Sequence, residues 1–416
     1  MQKYNKGRSE AISQQRAAAA GAAIPEVRQT LDDYIRQAIQ EKLPELLAEE
    51  LQEYLGRARY EHHSEGATKQ YRNGFGKERC VSSGCGTLSV RVPRLREPYE
   101  SQIVRRYQRV SEEVRATLPE LYLHGLATGD FGQCLHALLG DEAPLSDSTI
   151  VRLKETWKQE YQGWKRRPLQ RDYLYVWLDG VYPKAGPKDE QMALLVAVGL
   201  NRGGQKELLA LEEGYRESSE SWRDLLRDLK KRGVHWIGLG IADGIDGVWK
   251  ALRDVFPAAR HQRCWIHKMR NVLDKVPTHA EDLIGEELRA MYYAPSRSEA
   301  LRWKTEFVQK YQSVYPKAVD SLEEAGDRLF THFDFPKCHW PSIKSTNVIE
   351  SIFSVVKLRT DAARRIRRRE SATHLVFKLL TAAERRWNRI HGYRLVPKTI
   401  ESLSKQRSTS KVRYAA

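Results

Sequence analysis

Three acidic residues stand where carboxylates could bind metal ions. Asp179 interrupts the apolar run Tyr-Leu-Tyr-Val-Trp-Leu-Asp-Gly-Val-Tyr, where a charge is costly unless it is paired, hydrogen-bonded or bound to metal. Asp243 ends Gly-Ile-Ala-Asp, and Glu350 lies in Ser-Thr-Asn-Val-Ile-Glu-Ser. Mg²⁺ prefers carboxylate oxygens, and two ions about 3.5–4 Å apart can activate an attacking oxygen and stabilise a leaving one. We therefore predict a catalytic triad that binds two Mg²⁺ (or Mn²⁺) ions and cleaves phosphodiesters.

Ordinary structural roles compete with this interpretation at each position. Asp179 precedes a glycine and could start a turn. Asp243 also precedes a glycine, at a strand-to-helix turn, although Asp246 is the better placed helix cap. That leaves Asp243 at the carboxyl end of its strand, where α/β sheets place ligands. Glu350 lies three residues after Asn347, as in a capping box, and a helix start is compatible with a catalytic role.

Cysteine and histidine residues form a second candidate group. Cys264 and His267 form the pair Cys-Trp-Ile-His, and Cys338 and His339 lie farther along the chain. A four-ligand zinc site is conceivable, but one short pair is weak evidence for it. For Cys264 and His267 we favour structural packing, or positioning near the acids, over metal binding. The chain has five cysteines with irregular spacing, which predicts reduced thiols and argues against a disulfide framework.

The charge of the chain favours a polyanionic partner. The net charge is +16 and the pI about 9.5, and basic side chains that neutralise phosphates release counterions from a nucleic acid. A basic run follows Glu350 closely; such runs can be solvated faces, but beside a triad of this kind phosphate binding is favoured. The predicted DNA contacts are Lys357, Arg359, Arg364, Arg365, Arg367 and Arg368, together with Arg152 and Lys154.

The elements that must position the acids alternate as in an α/β domain. Three strands precede a helix, a strand, a helix and a last strand, which is the order of a ribonuclease H-like domain. We expect 169–267 and 341–394 to form this catalytic domain, around a polar helical insertion at 268–340. Residues 346–391 are predicted to be helical with a break near Arg364. The predicted strands are Tyr173–Val181, Met192–Leu200, Glu207–Tyr215, Trp236–Ala242 and Arg263–His267, and the predicted helices are Ser218–Arg232 and Ile245–Phe256.

The N-terminal part has the pattern of a mainly helical DNA-binding region. Apolar residues recur at helical spacing from Glu26 to about Leu55, which predicts an N-terminal helical region at 1–70 whose first 24 residues are loosely ordered. Residues 71–108 are predicted to be a small basic β segment, in which an alternating run forms a strand that ends at Pro93.

Residues 109–168 are predicted to form three helices compatible with a helix-turn-helix, whose last helix would enter a DNA groove. Generic helical packing explains the same pattern. The basic run 165–167 is interpreted as a linker and 395–416 as a basic tail. No apolar run approaches the roughly 20 residues needed to span a bilayer, and no secretory signal is evident. We therefore expect a cytoplasmic, nucleoid-associated protein without a membrane partner.

From about Glu26 to Arg394 the sequence resembles the Mutator-type bacterial insertion-sequence transposases. The most specific stretches are Trp-Leu-Asp-Gly-Val-Tyr at 177–182, Gly-Tyr-Arg-Glu-Ser-Ser-Glu-Ser-Trp at 214–222, Val-Trp-Lys-Ala-Leu-Arg-Asp-Val-Phe-Pro through Gln-Arg-Cys-Trp-Ile-His-Lys at 248–268, and Ser-Thr-Asn-Val-Ile-Glu-Ser-Ile-Phe at 345–353. One departure is Asp361-Ala-Ala before the arginines, where the family often has a glycine-containing basic turn.

The resemblance implies a ribonuclease H-like fold with an Asp-Asp-Glu triad at Asp179, Asp243 and Glu350. It maps the family's Cys-x-x-His pair to Cys264 and His267. The implied activity is metal-dependent cleavage at terminal inverted repeats, followed by attack of the freed 3′-hydroxyl on target DNA. The N-terminal helices would bind the repeats, and two ends must be synapsed, so a homodimer or larger complex is expected. A structure-selective nuclease and a DNA-binding repressor are the alternatives.

Overall fold

A computed structural model gives the fold of the protein as two compact units. The first spans Met1–Leu153 and the second Lys154–Ala416. The residues that the structure describes are 31, 33–61, 70–123, 134, 136, 139, 147–185, 190–214, 218–244, 246–362, 366 and 368–413.

The first unit packs a helix on short antiparallel strands. Helix α1, residues 33–55, confirms the predicted N-terminal helix. The strands are β1 (Arg72–Phe75), β2 (Arg79–Ser83), β3 (Gly86–Val90) and β4 (Pro93–Leu95), and they pair as β1 with β4 and β2 with β3. The predicted end of the strand at Pro93 is wrong. That strand, β3, ends at Val90, and Pro93 is the first residue of β4, a position where the missing N–H is tolerated.

The hydrophobic core of this unit lies between α1 and the strands. Residues spaced by four along the helix face inward, because that spacing returns to the same side of a helix. The packed residues are Leu43, Leu47, Val81, Leu88, Val90 and Val104 in one cluster and Leu51, Leu55 and Leu95 in another.

Two helices have described bounds after the strands. They are α2 (Glu112–Leu123) and α3 (Asp147–Arg166). The middle helix of the three predicted for this segment lies largely outside the described residues, and so the helix-turn-helix stays a prediction.

The basic run predicted to be a linker is ordered instead. Lys165 belongs to the last turn of α3 and pairs with Glu212 at 2.6 Å. Arg167 pairs with Glu207 at 3.1 Å. The hydroxyl of Tyr161 donates to the carbonyl of Leu211 at 2.7 Å. The linker prediction is therefore wrong, because these cations find carboxylates on one neighbouring strand.

A mixed five-stranded sheet is the centre of the second unit. Its strands are β5 (Asp172–Val181), β8 (Ala193–Leu200), β9 (Lys206–Gly214), β10 (Trp236–Ala242) and β11 (Arg260–Arg263), while β6 (Lys184–Ala185) and β7 (Glu190–Gln191) pair separately. The order across the sheet is β11-β10-β5-β8-β9. β8 is antiparallel to both β5 and β9, and β10 is parallel to both β5 and β11.

Helices α4 (Ser219–Lys231) and α5 (Asp246–Val255) contribute to the sheet's hydrophobic core. Trp222 of α4 and Trp249 of α5 are fully buried in it. Both helices confirm the predicted ones, and β10 has the predicted bounds.

The fifth strand was predicted in the wrong place. β11 ends at Arg263, and Trp265 begins helix α6 (Trp265–Leu273). The apolar run after Arg263 has the composition of a strand, but Trp265 is fully buried in a helical core rather than in the sheet. Cys264 and His267 therefore sit at the start of a helix.

The segment that follows is helical, as predicted. After α6 come α7 (Thr278–Tyr292), α8 (Arg297–Tyr311), α9 (Pro316–Glu324), three short 3₁₀ helices and α10 (Trp340–Ile343). This segment has its own core, in which Trp265, Phe307 and Phe330 are buried.

Three more α-helices and a short 3₁₀ helix (Tyr393–Leu395) complete the described chain. The α-helices are α11 (Asn347–Ala362), α12 (Arg369–Glu384) and α13 (Val396–Arg413). Residues 366 and 368, between α11 and α12, are not helical, while Arg364, near which the interruption was predicted, lies outside the described residues. α12 packs on β9 and α11 contacts β5. Among the described residues, no helix is long and apolar enough to cross a membrane.

Candidate active site

Two of the three predicted carboxylates follow register partners on adjacent parallel strands, near the carboxyl ends of those strands. Leu178 and Ala242 are register partners on the parallel strands β5 and β10. Asp179 and Asp243 each follow these partners by one residue. An Asp179 oxygen accepts the N–H of Gly180 at 2.8 Å, a turn-like contact.

The backbone after Asp243 is shaped by a neighbouring arginine. Gly244 has φ +101°, and the Arg263 guanidinium lies 2.3 Å from where a Cβ would stand. Arg263 also donates to the Gly244 carbonyl at 3.2 Å. Glycine is required here both for the left-handed backbone and for the close approach of Arg263. The turn therefore fixes the direction in which Asp243 leaves the strand.

Glu350 reaches the same region from the first turn of α11. Its backbone N–H donates to the Thr346 carbonyl at 3.1 Å, and the Thr346 hydroxyl donates to Glu350 Oε1 at 2.6 Å. Thr346 is fully buried. Helix initiation and placement of the carboxylate therefore occur together at Glu350, as the sequence allowed.

His267 lies close to both Asp243 and Glu350. Its Nδ1 atom lies 3.3 Å from Asp243 Oδ1 and 3.7 Å from Glu350 Oε1. Asp243 Oδ1 is buried and accepts no hydrogen bond of ordinary geometry. Two carboxylates thus converge on one imidazole, and a buried carboxylate oxygen faces this space without a donor.

Cys264 contacts the same cluster through Thr346. Its Sγ atom accepts the backbone N–H of Thr346 at 3.3 Å and the Thr346 hydroxyl approaches it at 3.2 Å. Burial raises the pKa of the Cys264 thiol, which keeps it protonated. The donor atoms of Cys264, His267 and Glu350 lie within 4.8 Å of one another.

The other cysteine–histidine pair is engaged elsewhere. His339 Nδ1 hydrogen-bonds the Tyr175 hydroxyl at 2.7 Å, and its Nε2 atom lies 3.1 Å from the Gly392 carbonyl. Both ring nitrogens are thereby used. Cys338 and His339 therefore do not complete a four-ligand zinc site with Cys264 and His267.

Sequence reasoning missed a charged cluster beside the acids. Lys268 and Arg263 each contact Glu324 of α9 at 2.7 Å, and both cationic side chains are almost fully buried. Burial lowers the pKa of Lys268. The Gln-Arg-Cys-Trp-Ile-His-Lys stretch contains both cations, but their shared partner lies more than fifty residues away in sequence, where no local pattern indicates it.

The predicted DNA-binding residues fall into three groups. Lys357 on α11 and Arg368 before α12 are exposed, and Arg359 is half-buried. The backbone of Arg152 and Lys154 lies in α3. Three further arginines, Arg364, Arg365 and Arg367, lie outside the described residues.

Comparison with known proteins identifies the family to which this chain belongs. The model of the family described as "Transposase, Mutator family" matches residues 11–390. The chain belongs to the Mutator family of transposases. The Mutator family match includes every element that carries Asp179, Asp243 and Glu350.

Curated relatives agree with this assignment. The transposase for insertion sequence element IS6120 of Mycolicibacterium smegmatis is 41% identical over 280 residues, which are 67% of this chain and 87% of the relative. The transposase for IST2 of Acidithiobacillus ferrooxidans is 39% identical over 263 residues, 62% of this chain and 89% of that protein. The transposase for ISRM5 of Rhizobium meliloti is 31% identical over 328 residues, 78% and 81% of the two chains. This Mutator-family chain is thus similar to transposases of insertion sequences from several bacteria.

Proposed function

We propose that this Mutator-family protein binds the terminal inverted repeats of an insertion sequence, cleaves DNA at its ends and joins the 3′-hydroxyl to target DNA. The observation that carries the proposal is the convergence of Asp243 and Glu350, from a strand end and a distant helix, within 3.7 Å of one His267 atom. Asp179 lies beside Asp243 in the sheet register.

A ribonuclease H-like core is part of this proposal. Three consecutive antiparallel strands are followed by two parallel strands added at the edge next to the first strand. This topology supports the fold expected from the strand order in the sequence. It also places the carboxyl ends of β5 and β10 together, which is where open α/β sheets bind ligands.

The carboxylates fit a divalent cation. Asp243 Oδ1 is a buried anionic oxygen without a hydrogen-bond donor, and burying such a group is costly unless a positive charge compensates it. Asp179, Asp243 and Glu350 would hold two Mg²⁺ or Mn²⁺ ions, which would polarise the scissile phosphate and lower the pKa of the attacking hydroxyl.

The protein's own residues would position the DNA. Thr346 fixes the Glu350 carboxylate, and the Gly244 turn fixes Asp243. Lys357 lies two helical turns from Glu350 on the exposed side of α11. There it would contact a phosphate of the DNA strand whose scissile phosphate lies at the carboxylates. Arg359 and Arg368 would extend this contact along the backbone, while Arg152 and Lys154 would contact the repeats.

Two ends must meet before they are joined to a target, so the proposed active form is a homodimer or a larger synaptic complex on DNA. Its place of action would be the nucleoid.

The proposal is tested by incubating the full chain with Mg²⁺ and a duplex that carries the element's terminal inverted repeat. Cleavage confined to the repeat end, with a new 3′-hydroxyl, is the expected result. Cutting of any branched duplex would instead identify a structure-selective nuclease, and binding without cutting would identify a repressor. Either of these two outcomes contradicts the proposal.

A further inference from the structure

We infer that His267 is itself a metal ligand, so that its Nδ1 atom joins Asp243 Oδ1 and Glu350 Oε1 in holding one divalent cation. This inference rests on the proposed function, and it adds a nitrogen donor to a site otherwise made of oxygens. The three atoms come from α6, from the end of β10 and from the first turn of α11.

The spacing of the atoms favours ligation over hydrogen bonding. The distances from His267 Nδ1 to the two oxygens are 3.3 and 3.7 Å, longer than ordinary N–H···O hydrogen bonds of about 2.7–3.2 Å. Two ligands that each lie about 2.1 Å from a tetrahedral ion are themselves about 3.4 Å apart. The two separations measured from His267 Nδ1 bracket that value.

The charges favour the same conclusion. Asp243 and Glu350 each bring a carboxylate oxygen to one ring nitrogen, and a cation bound there would offset the repulsion between the two negative charges. Asp243 Oδ1 accepts no hydrogen bond, so the His267 ring does not satisfy it as a donor. A metal ion bound to all three atoms satisfies both acids.

Thr346 offers the competing explanation for the position of the ring. Its hydroxyl oxygen lies 3.4 Å from His267 Nδ1, so it could accept a hydrogen bond from that atom. The Thr346 proton is directed to Glu350 Oε1 at the much shorter distance of 2.6 Å. If His267 only donated to Thr346, the ring would position Glu350 without touching the ion.

The backbone holds the imidazole in place before any ion binds. The Cys264 N–H donates to the Ala242 carbonyl at 2.8 Å, and the Trp265 N–H donates to the Lys344 carbonyl at 3.0 Å. These bonds tie the start of α6 to the chain just before Asp243 and to the turn before α11. Such preorganisation is what a metal site requires of its ligands.

The nitrogen donor predicts a metal preference. Imidazole is a better ligand for Zn²⁺ than for Mg²⁺, which favours oxygen. We therefore expect Zn²⁺ to bind this site more tightly than Mg²⁺. Removal of the His267 ring should narrow that difference by at least about 10–100-fold, the loss in affinity that is typical when only a supporting partner of a metal ligand is removed.

Mn²⁺ serves as a paramagnetic probe for the experiment. The full chain without a histidine tag is loaded with Mn²⁺, and pulsed electron paramagnetic resonance records modulation from a directly bound ¹⁴N nucleus. The wild-type chain should show this modulation, and His267→Gln should lose it while still binding Mn²⁺. His279→Gln, at an exposed position on α7, is the matched control and should keep it.

The possible failures are distinguishable. Bound Mn²⁺ without nitrogen modulation in the wild-type chain overturns the assignment of His267 but leaves the carboxylates as ligands. Mn²⁺ binding that is unchanged in Asp243→Asn and Glu350→Gln contradicts the proposed function itself. Displacement of Mn²⁺ by Zn²⁺ and by Mg²⁺ gives the second readout. A Zn²⁺ preference equal in wild-type and His267→Gln chains would also overturn the inference.

Discussion

At the scale of single residues, Thr346 lies close to three other residues of the candidate site. It donates to Glu350, contacts Cys264 and lies 3.4 Å from His267. Its position in the Ser-Thr-Asn-Val-Ile-Glu stretch gave no signal of this, because the stretch also resembles a helix cap. Only the folded structure shows that Cys264 Sγ contacts both the backbone N–H and the hydroxyl of Thr346.

We expect Thr346→Val to lower the cleavage rate about 10–100-fold, because the variant keeps the buried shape but leaves Glu350 without its donor. Thr346→Ser restores a hydroxyl and should recover most of the rate. The measurement is single-turnover cleavage of a repeat-end duplex with saturating protein. If valine and serine variants were equally active, Thr346 would have only a packing role.

Lys344 is a buried cation whose charge state should depend on pH. It is 7% exposed, its Nζ donates to the Tyr292 carbonyl at 2.7 Å and lies 3.8 Å from the Tyr292 ring centre. Burial lowers the pKa of Lys344 to about 8. Between about pH 8 and pH 10 the unfolded chain therefore binds more protons than the folded chain, and Lys344 disfavours folding less as the pH rises.

The free energy of unfolding of the wild-type chain should rise relative to Lys344→Met over this pH range, by an amount on the order of 1 kcal/mol. Urea unfolding at several pH values measures the difference. Lys231→Met, which removes an exposed lysine of α4, should show no such trend. A difference that stays constant or falls with pH would contradict the burial argument.

At the scale of elements, ion pairs connect the helical segment that follows β11 to the sheet. Glu324 on α9 binds both Arg263 at the end of β11 and Lys268 on α6. Burial alone would raise the pKa of Glu324, but its contacts with Lys268 and Arg263 lower it overall. Because Arg263 also holds the Gly244 carbonyl, this cluster extends from α9 to the turn that carries Asp243.

We expect Glu324→Gln to reduce the free energy of unfolding by about 1–3 kcal/mol, because two buried cations lose their carboxylate. Glu323→Gln, at the exposed neighbouring position, should have almost no effect. Urea unfolding followed by circular dichroism gives both values. Equal stabilities of the two variants would mean that Glu324 does not compensate the buried charges.

Elements with a clear period were predictable, and those decided by tertiary packing were not. β10 is an uninterrupted apolar run and was predicted with its observed bounds. The run after Arg263 has equally strand-like residues, yet it begins α6 because Trp265 fills a helical core. The segment 165–167 resembled a linker by charge alone, and its partners Glu207 and Glu212 come from a strand far along the chain.

At the scale of the whole molecule, the chain divides into two compact units between Leu153 and Lys154, inside α3, and the domain boundaries expected from sequence stay a prediction. The reason is local. The end of α3 packs on β9 through Tyr161 and Lys165, so it belongs with the sheet.

Part of the candidate site could be nominated from the sequence. Asp179 interrupts an apolar strand, Asp243 follows a strand end, Glu350 lies at a helix start, and a net charge of +16 favoured a phosphate-rich partner. The roles of Thr346, Arg263 and Glu324 could not be nominated, since each depends on a partner that only folding brings close.

The most direct test of the account compares cleavage and DNA binding in Asp179→Asn, with Asp172→Asn as a matched control at the other end of β5. Both chains are incubated with Mg²⁺ and a repeat-end duplex, and binding is measured separately by fluorescence anisotropy. The account predicts that Asp179→Asn loses cleavage by at least about a thousandfold, since it removes a metal ligand, while its affinity for the duplex stays close to that of the wild-type chain. Cleavage that persists in Asp179→Asn, or binding that is lost as completely as cleavage, would contradict it.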